Sequence, residues 1–190
     1  MHAALRAEGH THVDLVGTKQ NQQSCGVDDP DRDVEGHSGY LVTNLVGSGP
    51  NAAELPMWCA ADRADIVLMH FGTNDAWNSG IPIMDIVSAF SDVLRALREV
   101  QPRVILFVAQ IIPLSPNTCA DCERRVRELN ALIPMWAASE STAESPVHVV
   151  DQWTGFDPGT HAYDRVHPNM MGAEKMADVW LGALRARKIF

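Results

Sequence analysis

The chain has 190 residues, 46% of them hydrophobic and 21% charged, an ordinary globular composition with enough chain to bury one core. Its net charge of -9 argues against nucleic acid or an anionic membrane as partner, and no apolar run approaches the roughly 20 residues needed to cross a bilayer. The opening residues 1–10 lack the apolar stretch of a signal peptide.

Residues 1–9 have a helix-like pattern, and residues 12–16 read as a short strand. An acidic loop spans 28–33, followed by Gly36-His37-Ser38-Gly39-Tyr40 and a short helix over 40–46. Residues 65–71 are near-continuously apolar, as are 103–109 and 147–150, which is the pattern of strands buried on both faces of a parallel sheet. Residues 83–100 place Ile86, Val87, Phe90, Val93, Leu94 and Leu97 on one helical face, and Pro102 ends the run. Residues 122–138 do the same with Val126, Leu129, Ile133 and Trp136, and residues 172–187 with Met176, Val179, Trp180 and Leu184. Strands alternating with helices of this length predict one α/β domain over 1–190, with a parallel sheet between two helical layers. No repeat or linker interrupts it. Ligands on such sheets bind at the carboxyl ends of the strands.

Of the four cysteines, Cys119 and Cys122 have CxxC spacing, while Cys25 and Cys59 stand alone. A zinc site wants a second pair, so no metal is expected. The pair opens a helix but follows a Pro/Ser/Asn loop instead of a strand, so a local disulfide is expected over redox catalysis. Such a bridge favours an oxidising, extracellular setting. No glycine-rich nucleotide loop occurs, and no cofactor is implied.

Three segments carry chemistry. Gly72-Thr73-Asn74-Asp75 follows an apolar strand, where the Asn74 amide can donate to an oxyanion. The plainer reading is a strand-to-helix turn capped by Asn and Asp. Asp164-Arg165-Val166-His167 precedes the last helix, and its spacing lets the carboxylate fix the imidazole tautomer and leave the other nitrogen free as general base. Pro168 keeps His167 extended, on a loop and outside the helix. The plainer reading is a surface histidine capping that helix. In Gly36-His37-Ser38-Gly39, two glycines let the backbone approach a ligand and offer N–H donors, or simply make a turn.

Together, GTND after a strand and DxxH before the last helix resemble the SGNH (GDSL-like) hydrolase family. The strings Glu35-Gly-His-Ser-Gly-Tyr40, His70-Phe-Gly-Thr-Asn-Asp75 and Val150-Asp-Gln-Trp-Thr-Gly-Phe156 resemble its carbohydrate esterase 3 branch, which includes acetyl xylan esterases. The resemblance runs from about Val13 to the C-terminus. It implies a flavodoxin-like three-layer α/β/α fold, a serine-type carboxylic ester hydrolase acting on carbohydrate or other small acyl esters, and a secreted protein. Gly39 and Asn74 match the oxyanion-hole positions, Asp164 the acid and His167 the base. Tyr40, Trp77 and Trp153 are candidate substrate contacts that could stack on sugar rings, whereas Trp58, Trp136 and Trp180 lie in helix patterns and are expected in the core.

The family's Gly-Asp-Ser block has no counterpart here. Only 12 residues precede Val13, whereas a first strand, its serine turn and the following helix need on the order of 30 residues. The expectation is an N-terminally truncated domain that lacks the first central strand, between the strands near Val13 and Asp65. A stable sheet would then need strand shift, a swap between copies or a partner to satisfy the exposed backbone groups. Ser38 is the weaker nucleophile candidate, because Gly39 follows it directly and breaks the G-x-S-x-G elbow. The alternatives are water activated by His167, or an inactive relative that binds carbohydrate or serves a structural role.

Overall fold

The computed structural model describes residues 1–20 and 31–190. Cys25 and the first part of the acidic loop lie outside the described residues. The helices are α1 (His2–Ala7), α2 (Glu54–Asp62), α3 (Thr73–Trp77), α4 (Ile83–Val100), α5 (Cys122–Glu140), α6 (Pro158–His161) and α7 (Met170–Ala186). Strands β1 (Lys19–Gln20) and β2 (Asp33–Val34) form a short antiparallel ladder. Strands β3 (Ile66–Met69), β4 (Ile105–Gln110) and β5 (Val147–Asp151) form a parallel sheet in the order β3-β4-β5.

The alternation along β4 explains the layering. Leu106 and Val108 pack into a core shared with α2, α4 and α5, while Phe107 and Ala109 pack into a second core with Trp180 and Leu184 of α7. Side chains two apart on a strand share a face, so β4 serves both layers and must be apolar throughout. Helix α4 turns Ile86, Val87, Phe90, Val93 and Leu94 inward, as its 3.6-residue spacing predicts. Full burial of one such side chain stabilises the fold by about 2 kcal/mol.

A polar lock ties α5 to the sheet. Pro134 lies inside α5 and has no N–H to offer the Asn130 carbonyl one turn back. The Gln110 side chain at the end of β4 donates to that carbonyl instead, at 3.0 Å. The Asn130 side chain in turn accepts from Ile111 N at 2.7 Å and donates to Ile111 O at 2.8 Å.

The strand expected over 12–16 does not form. Val13 O accepts from His2 Nε2 at 3.2 Å, and Leu15 N donates to Asp31 Oδ2 at 2.7 Å, so the segment is held by side chains with no ladder beside it. Among the described residues β3 has no neighbour on its outer edge. A groove of about 510 Å³ follows that edge, lined by β3, Leu15, Val16, Val34, Trp58 and Leu97. It lies between residues 15–16 and the outer edge of β3. The helix expected over 40–46 is a single 3-10 turn, Val42–Leu45, after which Val46 is extended and Gly47 takes φ +58°. No helix among the described residues is long and apolar enough to cross a membrane.

Candidate active site

The chain leaves β3 through His70 and Phe71 into Gly72, which caps α3 in the left-handed region at φ +101°. A Cβ there would meet Leu129 at 3.1 Å, Ile86 at 3.3 Å and Ile111 at 3.4 Å, so both conformation and packing call for glycine. This turn delivers Asn74 and Asp75. Asn74 Nδ2 donates to Tyr40 O at 2.9 Å, which leaves its second N–H without a protein acceptor among the described residues. Asp75 is fully buried and bonds to Val42 and Thr43. Gly39, on the same loop as Tyr40, is exposed at φ +78° with open space where a Cβ would be. No protein group among the described residues accepts from its N–H.

Below this loop the end of α3 is clamped from α5. Buried Arg125 donates to Ala76 O at 2.7 Å, Asn78 O at 3.0 Å and also Ile81 O. The start of α5 is stapled by a Cys119–Cys122 disulfide. His70 sits at the end of β3, where its Nε2 accepts from Ile112 N at 3.3 Å. Burial pushes its imidazole down to about 4, so it is neutral near pH 7.

Asp164 and His167 form a self-contained turn. Asp164 Oδ1 accepts from Val166 N at 3.0 Å and His167 N at 2.8 Å, while Oδ2 takes His167 Nδ1 at 2.8 Å. Arg165 between them adopts φ +68°. The bonds from the His167 backbone and ring hold the Asp164 carboxyl down at about 2, so it stays ionised. With Nδ1 engaged, Nε2 is the nitrogen available for proton transfer. Ser115 N donates to Arg165 O at 3.1 Å, which ties this turn to the loop after β4. His167 does not cap α7, because Asn169 does so by accepting from Gly172 N.

The other candidates are scattered around these two groups. Ser38 is exposed, and the neighbouring imidazole is not its base: His37 Nε2 bonds to Glu35, and the ring stacks on Trp58 at 3.9 Å. Tyr40 donates its hydroxyl to Glu54 at 3.0 Å. Trp77 ends α3 and is half-buried against the core. Trp153, after β5, carries the Arg127 guanidinium 4.6 Å above its ring centre. Among the described residues no hydroxyl bonds to His167, and no hydrogen bond joins the Asp164–His167 turn to Asn74. Nor does any group of three His, Cys, Asp or Glu side chains there have the geometry to hold a metal ion. The sequence marks Asp75 only as a backbone cap within the GTND turn, and nothing local marks Arg125.

Known proteins resemble this chain in sequence and fold. A multidomain esterase of Ruminococcus flavefaciens is 30% identical over 197 aligned residues, covering 93% of this chain and 24% of that protein. The chain thus spans about a quarter of that relative's length. A solved acetyl esterase mutant with an acetate ion superposes at TM-score 0.81 with 29% identity, over 98% of this chain and 86% of that one. A carbohydrate esterase of family 3 from Talaromyces cellulolyticus gives TM-score 0.81 with 30% identity, over 94% and 84% respectively. These likenesses agree with the parallel sheet between helical layers. Residues 8–175 match the GDSL-like Lipase/Acylhydrolase family, and the chain belongs to it.

Proposed function

We propose that this chain is a carboxylic ester hydrolase of the SGNH type that removes small acyl groups, acetyl groups on carbohydrate foremost. The observation that carries the reading is the Asp164–His167 pair, closed at 2.8 Å with Nε2 left available for proton transfer. His167 takes the proton from an attacking oxygen, and that oxygen bonds the acyl carbon. Asp164 holds the imidazole in the productive tautomer and offsets its charge. The Gly39 N–H and the second Asn74 Nδ2–H stabilise the oxyanion. Collapse of the intermediate expels the sugar alcohol, which regains the proton from His167. Where the attacking oxygen is a serine's, His167 then takes a proton from water, the water oxygen bonds the acyl carbon, and collapse returns the proton to the serine and releases the carboxylic acid.

In the serine-type reaction the attacking oxygen is a serine hydroxyl on a strand seated along the open edge of β3. The groove along that edge and the side of β3 that is unpaired among the described residues support this. In its absence, water activated by His167 gives slow turnover. Trp153, with one face under Arg127, offers the other to a sugar ring, and Tyr40 and Trp77 lie on the segments beside Asn74. The Cys119–Cys122 disulfide supports a location outside the cell.

The test is acetate release from an aryl acetate and an acetylated xylo-oligosaccharide. His167→Ala should lower kcat by on the order of 10³-fold. Equal rates for the variant and the parent chain would sink the reading. A second reading, a carbohydrate-binding or structural relative without turnover, is favoured by the lack of any hydroxyl bonded to His167 among the described residues. Oligosaccharide binding with no acetate release would establish it.

A further inference from the structure

Asp75 follows Asn74 directly, yet the fold uses the two side chains in different ways. The Asp75 residue is 0% exposed, and its two oxygens receive three donors from one distant segment. Val42 N donates to Oδ2 at 2.9 Å, Thr43 N to Oδ1 at 3.0 Å, and Thr43 Oγ1 to Oδ1 at 2.8 Å. That segment is the 3-10 turn immediately after Gly39 and Tyr40, and its own N-terminal residue Leu41 supplies no capping side chain. Asp75 therefore caps a turn that lies 32 and 33 residues before it in the chain.

We propose that Asp75 is a positioning residue for ester hydrolysis: it holds the Gly39-Tyr40 loop against Asn74 so that the Gly39 N–H and the Asn74 amide converge on one oxyanion. This rests on the assignment of Gly39 and Asn74 as the oxyanion donors. Gly39 needs such an anchor. It is exposed, in the left-handed region, with nothing packed where a Cβ would be. The Asn74 to Tyr40 O bond is a single neutral contact, whereas hydrogen bonds to a carboxylate are roughly twice as strong. Two oxyanion donors act together only when both are aimed to within a fraction of an ångström, since a shift of about 1 Å can cost 10²-fold in rate. A carboxylate suits this post because all three neighbours are donors. An asparagine there keeps the shape, but its NH₂ must face one of the backbone N–H groups.

The experiment compares the parent chain with Asp75→Asn, Thr43→Val and Asn74→Ala on an aryl acetate, with folding followed by circular dichroism. Asp75→Asn should lower kcat about 10²-fold with KM within about twofold, the size of losing one oxyanion donor. The shape of the pH profile should not move, because the Asp164–His167 pair is untouched. Thr43→Val, which removes only the Oγ1 contact, should lower kcat about 10-fold in the same pattern. A kcat within twofold of the parent for folded Asp75→Asn overturns the proposal. So does a rise in KM with kcat unchanged. Should Asp75→Asn fail to fold, Thr43→Val decides by the same criteria. Should the parent chain show no turnover, the functional reading fails by itself and amide NMR decides the positioning claim. Joint shifts of the Gly39 backbone amide and the Asn74 side-chain amide in Asp75→Asn or Thr43→Val support it. Changes confined to Val42 and Thr43 overturn it.

Discussion

The Asp164–His167 turn closes across three residues and stands in solvent, its side chains 55% and 75% exposed, whereas the Asn74-Asp75 end of β3 reaches back 32 to 34 residues to bind its partners. The first group needs little from the rest of the fold: Asp164 accepts two backbone N–H groups and one imidazole nitrogen, all within its own turn. The second depends on everything around it, from buried Asp75 above to Arg125 below. Local hydrogen bonds can set an acid and a base in order. Two amide donors on segments far apart in the chain can be aimed at one point only by tertiary contacts.

The largest expected effect falls on the tertiary half. Arg125→Met leaves three carbonyls without their guanidinium donor, and its folding free energy should fall by about 4 kcal/mol in denaturant titrations. A loss below about 1 kcal/mol would mean that α3 supports itself and would erase much of the contrast between the halves.

Next comes pH. His70 binds its proton near the usual imidazole value when unfolded but only at about 4 when folded, so stability is lost as pH falls from about 6.5 to about 4, by at most ~3 kcal/mol. Asp164 loses its contribution in the same direction, as pH falls, but in a lower window. Its lowered carboxyl contributes above the usual carboxylate value, and that contribution is lost only as pH falls towards about 2. Thermal melts between pH 6.5 and pH 4 should therefore carry a His70 contribution, beside that of His148, which burial also lowers. His70→Gln should make them shallower, and an unchanged slope would remove His70 from the account.

The smallest effect is expected at the exposed turn. Asp164→Asn favours the wrong tautomer, but water reaches the site, so kcat should fall on the order of 10²-fold, below the 10⁴ of a buried triad. A loss of the full 10⁴ would show that the turn is covered when it works, and would close the gap between the two regions.

Much of the architecture was legible because it follows from periodicity. Helix α4 covers the expected residues, and strands β3, β4 and β5 fall on the three apolar runs with their ends moved by a few residues. Helix α2 was visible only as the helical context of Trp58, since its apolar residues are spread around it and not gathered on one face. Residues 12–16 looked like a strand because alternation says nothing of whether a partner edge exists. Asp164 and His167 could be paired from spacing, because a turn of four residues can close by itself.

The amino-acid pattern by itself determined the α/β layering and the Asp164–His167 pairing, which rest on the period of apolar side chains and on contacts within a few residues, and its motif strings carried the resemblance to the family. Only the tertiary structure decided what Asp75 and Arg125 bind, how Pro134 is accommodated, and that the outer edge of β3 borders a groove among the described residues. Those outcomes depend on which backbone groups remain unsatisfied after the chain has packed, and no local pattern of residues carries that information.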